Sequence, residues 1–227
     1  MAGAMGMAGN AEGAGEPVKH LVLLGDSIFD NKVYVGTGPS VIEQLQKSLP
    51  AGWKGTLRAV DGDTTDDVAR QLETVPADAT HLFLSIGGND ALGNASVLMQ
   101  PVKSVAEGAL KLGDLRDKFR RRYEQMIARV LAKKLPTTVC TIYDPNFAIP
   151  VQQQSSVVGL CVYNDIIVRT AVRRGVPVVD LRTLFAGQED YANSIEPGPS
   201  GGRKIVERMI AVARDHDFSK PRCVLYG

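Results

Sequence analysis

Cysteine and histidine are scarce in this chain of 227 residues, which has three of each. The spacing of Cys140, Cys161 and Cys223 matches neither a disulfide framework nor a zinc motif. The formal net charge of +1 lacks the basic excess that is typical of nucleic-acid-binding proteins. No stretch approaches the roughly 20 apolar residues that a membrane-spanning helix needs. We therefore expect no disulfide framework, no nucleic-acid partner and no membrane span.

The amino-terminal residues 1–16 are mostly glycine, alanine and methionine. They have neither the charged segment nor the continuous apolar segment of a secretory signal peptide. This composition predicts a disordered tail at 1–16, a single domain over 17–227 and a cytoplasmic location, unless a native leader has been removed. The sequence does not indicate an oligomeric state.

Short apolar runs alternate with longer amphipathic segments along the rest of the chain. The apolar runs predict strands at 20–27, 55–60, 81–86, 138–143 and 176–181. The amphipathic segments predict helices at 40–49, 64–74, 114–134, 155–174 and 201–215. Strands that alternate with helices form right-handed βαβ units and a parallel sheet. The sequence therefore predicts an α/β protein, a flavodoxin-like three-layer α/β/α sandwich with a five-stranded parallel sheet.

Three polar, glycine-rich segments follow the first three predicted strands. They read GDS at 25–27, DGDTT at 61–65 and GGND at 87–90. Ligands of such folds bind beyond the carboxyl ends of the strands, where these segments lie. We therefore expect the three segments to meet around one pocket.

The residue types in these segments suit acyl transfer. The hydroxyl of Ser27 is a potential nucleophile. The backbone N–H groups of Ser27 and Gly62, together with the side-chain amide of Asn89, could form a three-donor oxyanion hole. Because glycine has no side chain, the backbone at Gly62 could approach a substrate closely.

With these three segments, the chain resembles the SGNH (GDSL-type) hydrolases. The resemblance depends on GDS at 25–27, GDTT at 62–65 and GGND at 87–90, in the family's order and spacing, and it extends over 17–216. It implies an α/β/α fold and a serine esterase, lipase or acetylesterase activity. It also implies that the protein uses no metal and no cofactor.

One motif of the family is altered in this chain. The family has Asp-x-x-His-Pro before the last helix, and the matching segment at 193–197 reads NSIEP. Asn193 therefore stands at the aspartate position and Glu196 at the histidine position. The segment GGRKIV at 201–206 supports this alignment. Some subgroups of the family look similar, with Ile-Glu-Pro where Ile-His-Pro is usual.

The three histidines of this chain are predicted to lie too far from Ser27 and Asn89 to take the place of the family's motif histidine. His20 precedes Ser27 by seven residues of extended chain, or about 23 Å, and His81 precedes Asn89 by about 26 Å. His216 lies about 24 Å beyond the start of the last helix. All three are expected at the opposite end of the sheet.

Glu196 is then the candidate general base. A carboxylate within about 3 Å of the Ser27 hydroxyl could accept its proton, but it is a weak base unless burial raises its pKa. Alternatively, Glu196 binds a backbone N–H or a cation. A pairing with Arg182, which follows the fifth strand, would lower the pKa of Glu196 and oppose a role as base.

Four further residues are candidates for supporting the site. Asp26 and Asp90 are expected to hold their loops by hydrogen bonds. Asp190 and Asn193 lie in the segment that contains Glu196 and are candidates for orienting it. In the long connection predicted at 91–112, a group of apolar side chains could line an acyl pocket or pack against the core: Leu92, Val97, Leu98 and Met99.

Two functions remain open on the sequence. The first is hydrolysis of small or short-chain carboxylic esters through an acyl-serine, with a small-molecule ester as the only partner. The alternative is a non-catalytic protein of the same fold that binds a sugar, acyl or anionic ligand. The position of Glu196 distinguishes them, because an enzyme needs its carboxylate at Ser27, whereas a binding protein would have it paired with Arg182 or turned away.

Overall fold

The computed structural model describes residues 18–227, so the tail predicted at 1–16 lies outside the described residues. Its centre is a parallel sheet in the order β2-β1-β3-β4-β5-β6. The strands are β1 (His20–Gly25), β2 (Lys54–Leu57), β3 (His81–Ser85), β4 (Thr137–Cys140), β5 (Val178–Val179) and β6 (Leu225–Tyr226). The predicted α/β class is confirmed. The sheet has six strands and not five, because a two-residue strand near the carboxyl terminus has no readable pattern.

Helices cover both faces of the sheet. They are α1 (Val41–Ser48), α2 (Val68–Glu73), α3 (Gly88–Leu92), α4 (Val105–Leu131), α5 (Pro150–Arg174), α6 (Leu181–Leu184) and α7 (Pro199–Asp215). Two short 3₁₀ helices span Ala95–Met99 and Gln188–Asp190. Alternate strand residues point to opposite faces, so Leu21 and Leu23 pack with α1 and α7, whereas Val22 and Leu24 pack with α2, α4 and α5.

The long connection predicted at 91–112 is mostly helical, which corrects the sequence prediction. The helix predicted to start at 114 begins at Val105, where the Ser104 side chain accepts the backbone N–H of Glu107. Gly108 and Gly113 lie inside this helix and made its first turns hard to recognise, because glycine is a poor helix former. Similarly, α5 begins at Pro150 and not at 155.

One described helix, α5, has the length and apolar composition of a membrane-spanning helix. It is also the central helix of one core. It buries Tyr163, Ile166, Ile167 and Ala171 against the sheet and α4, and the same test is passed by core helices of globular proteins.

The end of β1 is fixed by Gly25, which precedes the first polar segment. Its φ is +132°, and a Cβ built there would overlap the carbonyl oxygen of Ser85 in the paired strand β3. The Gln71 side chain of α2 holds the same residue, since it accepts from the Gly25 N–H at 2.8 Å and donates to the Gly25 carbonyl at 2.7 Å. The chain therefore leaves β1 in one direction, toward the end of β3.

Replacement of Gly25 by alanine is expected to destabilise the protein by more than about 4 kcal/mol, because the added methyl group meets backbone and not a flexible side chain. Gly36 is a control, since its φ is also positive but a Cβ there meets nothing within 4 Å. Gly36→Ala should cost only about 1–2 kcal/mol. Urea unfolding measures both, and equal losses would contradict the steric argument.

Candidate active site

Ser27 and Glu196 come together although 169 residues separate them. The Ser27 Oγ donates a hydrogen bond to the Glu196 Oε1 at 3.0 Å. Both residues are buried, with exposed fractions of 6% and 5%. Ser27 lies just beyond β1, and Glu196 lies in the connection before α7. The distance is within the range in which a base can take a proton from a hydroxyl.

Backbone contacts of the Glu196 segment fix the position of its carboxyl group. The Asn193 Oδ1 accepts the N–H groups of Ile195 and Glu196, each at 2.9 Å. The Tyr143 hydroxyl donates to the Ile195 carbonyl at 2.6 Å, and the Asn31 amide donates to the Pro197 carbonyl at 2.9 Å. The turn is thus anchored on both sides of the glutamate. Asn31 and Tyr143 could not be identified from the sequence, because their partners are more than 50 residues away.

The environment of Glu196 makes it a stronger base than an exposed carboxylate. Burial, followed by repulsion from the Asp61 carboxylate, raises its pKa to about 7, although the Ser27 hydrogen bond acts in the opposite direction. Its second oxygen, Oε2, is buried and accepts no hydrogen bond from the described residues. Near neutral pH a substantial fraction of Glu196 is therefore both ionised and basic.

The predicted oxyanion donors lie beyond three neighbouring strands: Ser27 and Gly62 are in turns, and Asn89 is in the first turn of α3. Gly62 has a φ of +85°, which explains why glycine occupies this position. A Cβ built there would meet nothing within 4 Å. The Asn89 Nδ2 donates one hydrogen to the Asp63 carbonyl at 2.9 Å, leaving its second hydrogen. Among the described residues, the backbone N–H groups of Ser27 and Gly62 donate to no protein acceptor.

The two acidic residues of the strand-end motifs hold loops, as the sequence suggested. Asp90 accepts the N–H and the hydroxyl of Thr65 at 3.0 and 2.8 Å, which ties the third segment to the second. Asp26 accepts the N–H of Ile28 at 3.2 Å in the turn that presents Ser27. Burial raises the pKa of Asp26 to about 8, so its carboxyl group is mostly protonated at neutral pH.

Gln71 is a site-supporting residue that the sequence analysis missed. Besides clamping Gly25, its Nε2 donates to Asp63 at 2.7 Å, and Asp63 also accepts from Arg70 at 2.9 Å. The Asp63 carbonyl is the partner of Asn89. Gln71 thus links the ends of β1 and β2 to the start of α3, which carries Asn89. A polar residue on the sheet-facing side of a helix was the available signal.

Arg182 does not pair with Glu196. Its guanidinium donates instead to both carboxylate oxygens of Asp180, at 2.7 and 2.6 Å. A partner two residues away in the chain satisfies Arg182 locally. The pairing of Arg182 with Glu196 that the sequence left open, and the lowering of the Glu196 pKa that it would cause, are therefore not found.

Asp190 stabilises the connection that contains Glu196 without touching the glutamate. It is completely buried and accepts the Lys204 ammonium at 2.6 Å and the Ser200 hydroxyl at 3.0 Å. It also accepts the N–H groups of Ala186 and Gly187. Its contacts join the start of α7 to the preceding loop.

The histidines lie at the amino ends of the strands, away from Ser27. His20 and His81 are the first residues of β1 and β3, and His216 follows α7. The rings of His81 and His216 both pack on Phe218.

A cavity of about 480 Å³ opens at Ser27, Asn89 and Glu196. It extends between the segment 91–99, the first part of α4 and the first part of α5. Its wall is mostly apolar and includes Leu92, Val97, Leu98, Met99, Leu112, Leu115, Ile142, Phe147, Leu160 and Ile195. The four apolar residues singled out in the predicted connection all line it, although the segment is not a loop.

The chain was compared with known proteins. Residues 23–203 match the model of the GDSL-like lipase/acylhydrolase family. Among solved structures, an extracellular lipase from Streptomyces rimosus is 19% identical, with a TM-score of 0.63 over 85% of this chain and 100% of that chain. The acetyl xylan esterase AlAXEase is 17% identical, with a TM-score of 0.64 over 85% and 98%.

A third solved structure, phospholipase A1 from Streptomyces albidoflavus NA297, is 17% identical, with a TM-score of 0.60 over 87% of this chain and 100% of that chain. At such identities these likenesses establish a shared fold. No curated protein matches the sequence significantly.

The raised pKa of Glu196 predicts a pH-dependent cost to stability. Between pH 4.5 and 7 the unfolded chain releases this proton while the folded protein keeps it, so wild-type stability should fall relative to Glu196→Gln as the pH rises. The relative change should be on the order of 3 kcal/mol. Urea unfolding from pH 4 to 8 measures it, with Glu189→Gln on the same connection as the charge-removal control. Parallel stability curves for wild type and Glu196→Gln would contradict the assignment.

Proposed function

Because the chain belongs to the GDSL-like lipase/acylhydrolase family, we propose that it hydrolyses carboxylic esters through an acyl group carried on Ser27. The observation that carries this proposal is the 3.0 Å hydrogen bond from the Ser27 hydroxyl to Glu196, at the opening of an apolar cavity. Glu196 replaces the histidine that the family uses as base.

In the first half of the reaction, Glu196 accepts the proton of Ser27 as the Ser27 Oγ attacks the ester carbonyl carbon. The negative charge that develops on the carbonyl oxygen is stabilised by the N–H groups of Ser27 and Gly62 and by the Asn89 amide. Glu196 then donates its proton to the leaving alkoxide. An alcohol departs, and the acyl group stays on Ser27.

In the second half of the reaction, a water molecule takes the place of the Ser27 hydroxyl as the attacking group. Glu196 takes a proton from the water as the water oxygen attacks the acyl-serine carbonyl carbon. The tetrahedral intermediate collapses, and the proton returns from Glu196 to the Ser27 oxygen. The free carboxylic acid leaves, and the enzyme regains its starting state without a net change in protonation.

The cavity supports an apolar acyl chain longer than acetyl, which differs from the short-chain preference expected from the sequence. An acetyl group would leave most of the 480 Å³ unfilled. The structural neighbours include both a phospholipase A1 and an acetyl xylan esterase, so their names do not decide between lipid and acetyl esters. The choice depends on the wall of this chain's own cavity.

The alternative, a non-catalytic binding protein, has less support. It would have Glu196 paired with Arg182 or turned away, whereas Glu196 contacts the Ser27 hydroxyl and Arg182 contacts Asp180. The unpaired N–H groups of Ser27 and Gly62 also suit an oxyanion better than a neutral sugar.

Hydrolysis of p-nitrophenyl esters tests the roles of Ser27 and Glu196. Ser27→Ala should lower kcat by at least about 1,000-fold, because the nucleophile is lost. Glu196→Gln should lower it by about 100-fold or more. For the wild type, kcat/KM should rise with pH and level off above about 7, since only ionised Glu196 accepts a proton.

Glu196→His is the variant matched to Glu196→Gln, because it places at position 196 the imidazole that the family has there. Full activity in Ser27→Ala would exclude the acyl-serine. Full activity in Glu196→Gln would exclude Glu196 as base.

Filling the cavity should shift the preference for acyl chain length. Ser156 lines the cavity from α5, and Ser156→Trp should lower kcat/KM for the octanoyl ester by about tenfold or more while changing the acetyl ester little. Gln154→Trp, on the same helix but outside the wall, is the control. An equal effect on both esters would show that the acyl group binds elsewhere.

A further inference from the structure

The two segments that flank the cavity mouth carry no charged residue. They are 91–102, before α4, and 145–164, which includes the first fifteen residues of α5. Elsewhere charges are frequent, since 22% of all residues in the chain are charged. Beyond 164 they begin immediately with Asp165, which binds Arg116 and Arg169. The surroundings of the cavity therefore include two long segments without charge.

Large apolar side chains protrude from the same segments. Leu92, Met99, Ile149 and Val151 line the cavity and are also 44–70% exposed, which places them at its mouth. Val158 is 60% exposed and lies two helical turns after Val151 on the same side of α5. We call these five residues the mouth rim.

The protruding residues are unevenly distributed over the molecule. Of thirteen large hydrophobic residues that are exposed in the described part of the chain, eight lie within 92–110 or 149–158. Single exposed hydrophobic residues are normal, but a group of them around a ligand cavity marks an interaction surface.

We propose that the mouth rim docks on the surface of an uncharged lipid aggregate, such as a zwitterionic phosphatidylcholine bilayer. Because neither segment carries a charge of its own, the binding comes from inserted apolar side chains and not from attraction to an anionic surface. The inference rests on the proposed function, because an apolar acyl chain could then pass from the lipid into the cavity without crossing water. A second copy of this chain is the competing occupant.

Sedimentation with phosphatidylcholine vesicles tests the proposal, using full-length Ser27→Ala so that no lipid is hydrolysed. Val151→Glu and Val158→Glu should each weaken vesicle binding about tenfold or more, because a carboxylate replaces an inserted apolar group. The matched control is Val172→Glu, on the same helix and with a similar exposure of 59%. It lies beyond Asp165 and should bind as Ser27→Ala alone does.

Raising the salt concentration from about 0.1 M to about 1 M should leave the binding intact, since it depends on no charges. Thermal unfolding checks that each variant is folded. No binding to vesicles, or equal losses in the rim and control variants, would overturn the proposal. Light scattering that finds a dimer in the parent and a monomer in Val158→Glu would assign the rim to a second copy.

The proposed function is tested separately by wild-type hydrolysis of a soluble, monomeric ester. Rim-dependent vesicle binding without ester hydrolysis would overturn the proposed function alone. Hydrolysis without rim-dependent binding would overturn the docking proposal alone.

Discussion

The candidate site depends on a carboxylate that the fold removes from water and leaves with only one of its two oxygens hydrogen-bonded within the described residues. One oxygen of Glu196 accepts the Ser27 hydroxyl, and the other is buried without a donor in the part of the chain that the structure describes. Such burial is costly, since a carboxylate loses its hydration. The protein offsets this cost by anchoring the surrounding turn through backbone groups. The same burial raises the pKa of Glu196 toward that of an imidazole, so one feature both destabilises the folded state and makes a proton acceptor suitable for neutral pH.

The contacts on either side of Glu196 are made by neutral groups. Asn193, Tyr143 and Asn31 bind backbone atoms of residues 195–197 and leave the carboxylate alone. An aspartate at 193 would place a second negative charge beside Glu196 and oppose its ionisation. A neutral amide holds the same turn without that repulsion. In physical terms, asparagine at 193 and glutamate at 196 are compatible partners.

The sequence predicted the fold, and it predicted that Ser27, Asn89 and Glu196 would lie around one cavity, because both depend on local patterns. Strand periodicity located β1 and β3, and the motifs after them located Ser27 and Asn89. Strand pairing then brings these ends together, with Gly25 opposite Ser85. What escaped prediction depends on contacts distant in the chain, such as the Tyr143 hydroxyl on Ile195, or on competition between partners, as at Arg182. The start of α4 was missed because Gly108 and Gly113 obscured the helical pattern that follows the Ser104 cap.

A carboxylate base changes the charges that the site must accommodate during the reaction. A histidine would become a cation as the oxyanion forms, creating an ion pair that a neighbouring aspartate then stabilises. In the proposed reaction, Glu196 instead becomes neutral as it takes the proton, so a single negative charge moves from the glutamate to the oxyanion. The burden of stabilisation falls on the N–H groups of Ser27 and Gly62 and on Asn89. Charge migration across a few ångströms, in place of charge separation, is well matched to a site whose walls are mostly hydrocarbon.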